Sequence, residues 1–210
     1  MKHEPGEQSS RAQILKLRPR TASSTLQPVV SGKLVILSGP SGVGKDTVID
    51  AWREVNSKVE RVVATTTRAP RPGEVNGIDY HFVPVEAFRT KAEHGDFLEF
   101  KEVHGNWYAT PLTDMENLLK AGKVAILKID VQGALHAMTL RRDAISIFIL
   151  PPSMDELEQR IRGRGLDDPA VIEQRLANAH HEVAMAAKYN HQIVNLDVDL
   201  TVSLLERIIE

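Results

Sequence analysis

The segment Gly39-Pro40-Ser41-Gly42-Val43-Gly44-Lys45 follows the apolar run Leu34-Val35-Ile36-Leu37, and a helical stretch, Thr47 to Val55, comes after it. This order of parts is what a phosphate cradle requires. A buried strand delivers the chain to a tight loop whose glycines let successive backbone N–H groups turn toward one anion. The helix then opens with its positive end aimed at the same place. Lys45 supplies a mobile cation for the outer phosphates. The stretch Gly39 to Thr47 is therefore read as a nucleotide polyphosphate site rather than a glycine-rich turn with a surface lysine. One position departs from the usual pattern. Where a neutral Ser or Thr hydroxyl normally follows the lysine to reach magnesium, this chain has Asp46, with Thr47 one step later. A carboxylate ligates a hard cation but repels phosphate, so the departure is read as altered metal handling rather than loss of the site.

The chain has 210 residues, 42% of them hydrophobic, enough for one good core with small appended lobes. Its net charge of −2 gives no basic field for a nucleic-acid polymer, and no protein partner is evident, so small ligands are expected. There is no cysteine, which excludes disulfides, thiolate metal sites and cysteine nucleophiles and agrees with a reducing, cytoplasmic setting. No run approaches the roughly 18 apolar residues of a membrane span.

Residues 1–31 are rich in Ser, Arg, Gln and Pro and read as a flexible tail. Arg11, Lys16, Arg18 and Arg20 among serines fit a transit peptide, whereas Glu4 and Glu7 do not, and no secretory signal is visible. From Gly32 onward strands and helices alternate, which predicts an α/β fold with a parallel sheet covered by helices. The expected strands are Leu34 to Ser38, Val59 to Thr65, Val124 to Ile129, Ile145 to Leu150 and Gln192 to Leu196. The expected helices are Thr47 to Val55, Leu112 to Ala121, one after Gly133, one from the capping-box spacing at Ser153 through Arg164, one capped by Asp168-Pro169 and running to about Lys188, and one from Leu200. Between them, strands at Tyr80 to Val83 and Phe97 to Val103 flank a helix from Val85 to Glu93 and form a separate small α+β lobe. In such sheets ligands sit at the carboxyl ends of the strands.

The loop Thr65-Thr66-Thr67-Arg68-Ala69-Pro70-Arg71-Pro72-Gly73-Glu74 places two arginines three residues apart on turn-forming sequence, and guanidinium forks match phosphate oxygens. Tyr80, Glu99 and Tyr108 add hydroxyls and a carboxylate suited to a second phosphate and to the N–H donors of a purine edge. His180-His181 lies on an expected helix, where neighbours point about 100° apart, so the pair is read as exposed surface.

The segments SGPSGVGK, TTTRAPRPGEVNGIDYHF, FLEF followed by GNWYAT, IDVQGA, and RIRGRG with a downstream QRLANA together resemble guanylate kinase in order and spacing, over about Gly32 to Glu210. The resemblance implies phosphoryl transfer from ATP, with Mg2+, to GMP and dGMP. It implies a three-layer core (32–64, 113–152, 188–210), a monophosphate-binding lobe (65–112) and a helical lid (153–187). By the same resemblance Arg68, Arg71, Tyr80 and Tyr108 would hold the GMP phosphate, and Glu99 and Thr110 would read guanine. Gly39, Pro40, Ser41, Gly42, Val43, Gly44, Lys45, Asp46 and Thr47 would hold ATP. Arg160 would lie against adenine, and Asn195 would touch the adenine edge, mostly through backbone. Lys45, Arg71, Arg164 and Arg175 would stabilise the transferring group, and Asp46 and Asp130 would serve the metal. Closure of lobe and lid is expected, because open water near the transferring group would invite hydrolysis.

Three positions depart from the family pattern: Asp46, Ala64 where many members have a serine, and Lys128 in place of an acidic residue. Lys128 pairing with Asp46 would return the local charge count toward normal. Two other readings are a ribose 1,5-bisphosphate phosphokinase, which shares the Asp after the loop lysine, and a non-catalytic phosphopeptide-binding module on the same scaffold. The Arg68 and Arg71 loop argues against the first. The intact phosphate loop argues against the second.

Overall fold

The computed structural model describes residues 32–103, 105–163 and 168–210. The tail expected at 1–31 and Arg164 lie outside the described residues.

The described chain forms two compact units, one running from Val63 to Glu116 and the other combining residues up to Val62 with Asn117–Glu210. The larger unit is built on a parallel sheet. Its strands are β1 (Lys33–Ser38), β2 (Val59–Arg61), β7 (Val124–Lys128), β8 (Ile145–Leu150) and β9 (His191–Val194), in the order β2-β7-β1-β8-β9 with every pairing parallel. β1 is buried at every position but its first, as a central strand covered on both faces must be. Alternation sends Val35, Leu37, Ile126, Ile147 and Ile149 into one apolar cluster. Ile36, Leu127 and Phe148, on the opposite face, are equally buried. Into the first cluster go Val48, Ile49 and Trp52 of α1 (Lys45–Val55), Leu157 and Ile161 of α5 (Met154–Arg162), and Val202 and Leu205 of α7 (Val198–Ile209). Each such side chain contributes about 1.5–3 kcal/mol by leaving water.

Helix starts follow from local chemistry. α4 (Val131–Leu140) begins two residues before Gly133, because the Asp130 carboxylate accepts the Gly133 N–H at 2.8 Å. Ser153 accepts the Glu156 N–H at 3.1 Å and starts α5, which stops at Arg162, short of the expected Arg164. Asp197 accepts the Leu200 N–H at 2.9 Å, so α7 also begins earlier than expected. Asp168 precedes α6 (Pro169–Ala184) but makes no side-chain cap bond, so that start rests on proline at the first turn. α6 gives way to a short tight turn, Ala186–Lys188, which completes the stretch expected as one helix.

The smaller unit carries a second sheet, in the order β4-β3-β6-β5. Its strands are β3 (Thr65–Thr66), β4 (His81–Phe82), β5 (Phe97–Val103) and β6 (Asn106–Pro111). Here one sequence expectation is corrected and one strand is added. Val59 to Thr65 is not one strand: Arg61 ends β2 in the parallel sheet and Thr65 begins β3 in the other sheet. Asn106–Pro111 is a strand, paired antiparallel with β5, and carries the strand-favouring Trp107, Tyr108 and Thr110. Cross-strand pairing decides its state. α2 (Val85–His94) lays Phe88 and Ala92 against Phe97, Trp107 and Ala109. α3 (Leu112–Lys120) follows directly on β6.

Candidate functional site

The phosphate loop connects β1 to α1. At Gly39, with φ of 148°, a Cβ would stand 2.3 Å from the Ile149 carbonyl oxygen, so the strand-to-loop turn admits only glycine. Gly44 precedes α1 at φ of 98°, and a Cβ there would meet the Asn195 amide at 2.9 Å. Val43 is fully buried and anchors the loop from below. Lys45 Nζ donates to the carbonyls of Gly39 at 2.5 Å and Pro40 at 3.0 Å, which bends the side chain back over its own loop. Burial pulls this ammonium down to about 8, against the opposing pull of Glu182, Asp46 and Asp130. Ser41 Oγ accepts from the Arg175 guanidinium at 2.7 Å, which ties α6 to the loop.

Beside the loop a cavity of about 440 Å³ is lined by Gly42, Gly44, Thr47, Arg160, Asn195, Leu196 and Val198. That volume lies in the range of small-molecule sites. Arg160, paired with Glu156, donates to the Val43 carbonyl at 3.4 Å and to the Asn195 carbonyl at 3.5 Å. The buried Asn195 side chain is itself committed, donating to the Val43 carbonyl at 2.9 Å and accepting from Thr201 at 3.0 Å. The Asn195 backbone is engaged as well: its N–H donates to the Leu150 carbonyl at 2.8 Å and its carbonyl accepts from Arg160. Leu196 and Val198 are apolar lining that the sequence reading did not single out.

Asp46 bears out the suspected pairing. Its carboxylate accepts from Lys128 Nζ at 2.5 Å, and the Arg61 guanidinium stands 3.6 Å away. Burial works against the charged form, yet Lys128, with Arg61 and Lys45, holds the carboxyl below its usual range. Among the described residues no three His, Cys, Asp or Glu side chains converge on one point. Asp46 and Thr47, in the first turn of α1, and Asp130, which caps α4 two residues past β7, are nevertheless hard oxygen donors. One or two carboxylates completed by phosphate oxygens and water are a donor set that fits Mg2+.

The smaller unit holds the second constellation. The Arg68 guanidinium lies 5.5 Å from the Tyr80 ring centre and 5.7 Å from that of Phe82, and Tyr80 meets Tyr108 edge-on at 6.0 Å. These aromatic contacts hold the cation in place. Glu74 bridges the loop: it accepts from Arg68 at 2.8 Å and from the Arg71 backbone N–H at 2.7 Å. Those two bonds keep the Glu74 carboxyl below its ordinary range. The Arg71 side chain remains exposed. On β5 and β6, Glu99 and Thr110 are 4% and 2% exposed, and the Thr110 hydroxyl donates to the Glu99 carboxylate at 2.7 Å. His180 and His181 are exposed, as expected.

The family model for guanylate kinase matches residues 31–210. The chain belongs to the guanylate kinase family. A guanylate kinase of Clostridium perfringens is 44% identical over 178 residues, covering 85% of this chain and 82% of the relative. One from Nostoc sp. is 42% identical over 194 residues, with 92% and 96% covered. The crystal structure of guanylate kinase from Anaplasma phagocytophilum superposes with a TM-score of 0.68 at 35% identity, covering 85% of this chain and 84% of that one. In this guanylate kinase family member the sequence reading overlooked Glu74, Arg61 and Phe82. Glu74 lies inside the quoted PRPGEVNG segment, where its spacing to Arg68 was the available signal. Nothing in the sequence pairs Arg61 with Asp46, since the two come from different elements.

Proposed function

We infer that this chain catalyses ATP-dependent phosphorylation of GMP to GDP, and that dGMP is accepted as well. The intact loop, with Lys45 held over it in a chain matched from end to end of its described part, carries the reading. A purely phosphopeptide-binding module has no use for such a loop. In the proposed reaction an oxygen of the GMP phosphate displaces ADP from the γ-phosphorus in line, with no covalent enzyme intermediate. The loop N–H groups and Lys45 take the donor phosphates. Arg160 and the Leu196 and Val198 wall take the adenine, with the Asn195 backbone at its edge. Arg68, Arg71, Tyr80 and Tyr108 hold the acceptor phosphate, and Glu99 accepts N–H donors of guanine while Thr110 keeps that carboxylate in place. Arg164 and Arg175 meet charge that spreads over the moving group. Mg2+, held by Asp46 with help from Asp130, would neutralise donor phosphate charge. Residues 65–112 act as a closing lobe and 153–187 as a lid, in the cytoplasm.

A coupled assay with GMP, dGMP, AMP and ribose 1,5-bisphosphate tests the assignment. GMP and dGMP turn over, AMP far less, and ribose 1,5-bisphosphate not at all. Lys45→Met lowers turnover by orders of magnitude with the fold intact. Turnover of ribose 1,5-bisphosphate without GMP turnover would assign the other kinase activity, and binding of GMP with no turnover in any mixture would assign the module.

A further inference from the structure

Asp46, Lys128 and Arg61 form an ion cluster in the larger unit. Arg61 ends β2 and lies in register with Ile126 of β7, and Lys128 ends β7 two residues later. Partners in a parallel pair and residues two apart on a strand share a face, so both cations are delivered to one side of the sheet tips. Asp46, in the first turn of α1, meets them there. The two cationic side chains are 20% and 22% exposed, whereas the Asp46 side chain is 64% exposed. The cations are therefore partly withdrawn from water and the carboxylate is open to it. With Lys45 the cluster holds three positive groups against Asp46, with Asp130 nearby, two residues past β7. Lys128 and Arg61 both approach Oδ1 of the Asp46 carboxylate, the oxygen a divalent cation would have to share or take.

We propose that Lys128 is a positioning residue that gates divalent cation binding at Asp46: paired with Asp46 it neutralises the carboxylate beside the donor phosphates, and a cation enters only by displacing it. The proposal rests on the donor-site reading above. It makes metal-free ATP binding stronger, and the gain from Mg2+ smaller, than a neutral residue in place of Lys128 would give. Charge complementarity sets the direction, since removing a cation beside a polyphosphate costs most when no metal is present.

Calorimetric ATP binding, measured in EDTA and in excess Mg2+, tests this without any turnover. The decisive quantity is the ratio of the two dissociation constants. Lys128→Met leaves the Asp46 carboxylate without its nearest cation beside the phosphates, so metal-free ATP binding weakens about tenfold and the ratio rises by a similar factor. Asp46→Asn does the reverse: Lys128 is released, metal-free binding tightens, and the ratio falls. Lys128→Arg keeps the ratio within about threefold of the parent protein, because the charge is retained. Ratios for Lys128→Met and Asp46→Asn within twofold of the parent would overturn the gate while leaving the donor site standing. If the parent protein binds no ATP in either buffer, the donor-site reading itself fails. Should Lys128→Met not fold, as judged by thermal melting, the opposite shift in Asp46→Asn decides the matter.

Discussion

Raising the pH through the Lys45 transition should weaken ATP binding. Without nucleotide, Lys45 donates to two loop carbonyls and its ammonium loses protons near 8, because burial removes the water that would stabilise its charge. Phosphate oxygens restore a partner for that charge, so the bound form keeps its proton to much higher pH. With the free pKa about 8, linkage gives an uptake of about 0.1 proton per ATP at pH 7 and about 0.9 at pH 9, and a roughly tenfold rise in Kd between them. Titration calorimetry in two buffers of different ionisation enthalpy measures the uptake directly. Lys45→Met should abolish the pH-dependent part. Uptake at pH 9 that is below about 0.2 proton, or equal in the Lys45→Met protein, would refute the reasoning. Stability without ligand moves the other way. Folding lowers this pKa from 10.5 to about 8, so across that window the unfolded chain keeps a proton the folded protein has released. Unfolding free energy then rises with pH, by at most about 3 kcal/mol, and the destabilisation from burying the charge is fully present below 8.

Glu99→Gln keeps the volume of the buried side chain but presents an N–H to a base edge that needs an acceptor. The KM for GMP should rise about 10- to 100-fold and the preference over AMP should shrink, and steady-state kinetics with unchanged values for both would remove Glu99 from base recognition. Asp197→Ala removes the cap of α7, so the urea midpoint should fall by an amount equal to about 1 kcal/mol at constant m, and an unmoved midpoint would show that the Leu200 N–H needs no capping partner.

Hydrophobic run length and the spacing of glycine, proline and capping residues were legible in the chain itself. These are local properties: Leu34 to Ser38 is apolar at nearly every position, Ile145–Leu150 likewise, and Ser153 stands three residues before Glu156. The parallel core, its helices and the phosphate loop therefore followed from sequence, and the motif spacing pointed to the two phosphate-handling loops. Only the tertiary structure decided three matters. The stretch Val59 to Thr65 divides between two sheets because Arg61 pairs with Ile126 and Thr65 with Ala109, partners far along the chain, whereas Asn106–Pro111 pairs with the adjacent β5 and with the distant β3. Glu74 closes on Arg68, whose guanidinium lies against the Tyr80 and Phe82 rings, and on the Arg71 N–H. Lys128 and Arg61 converge on Asp46 because β7 and β2 lie in register, and strand register depends on pairing across the sheet.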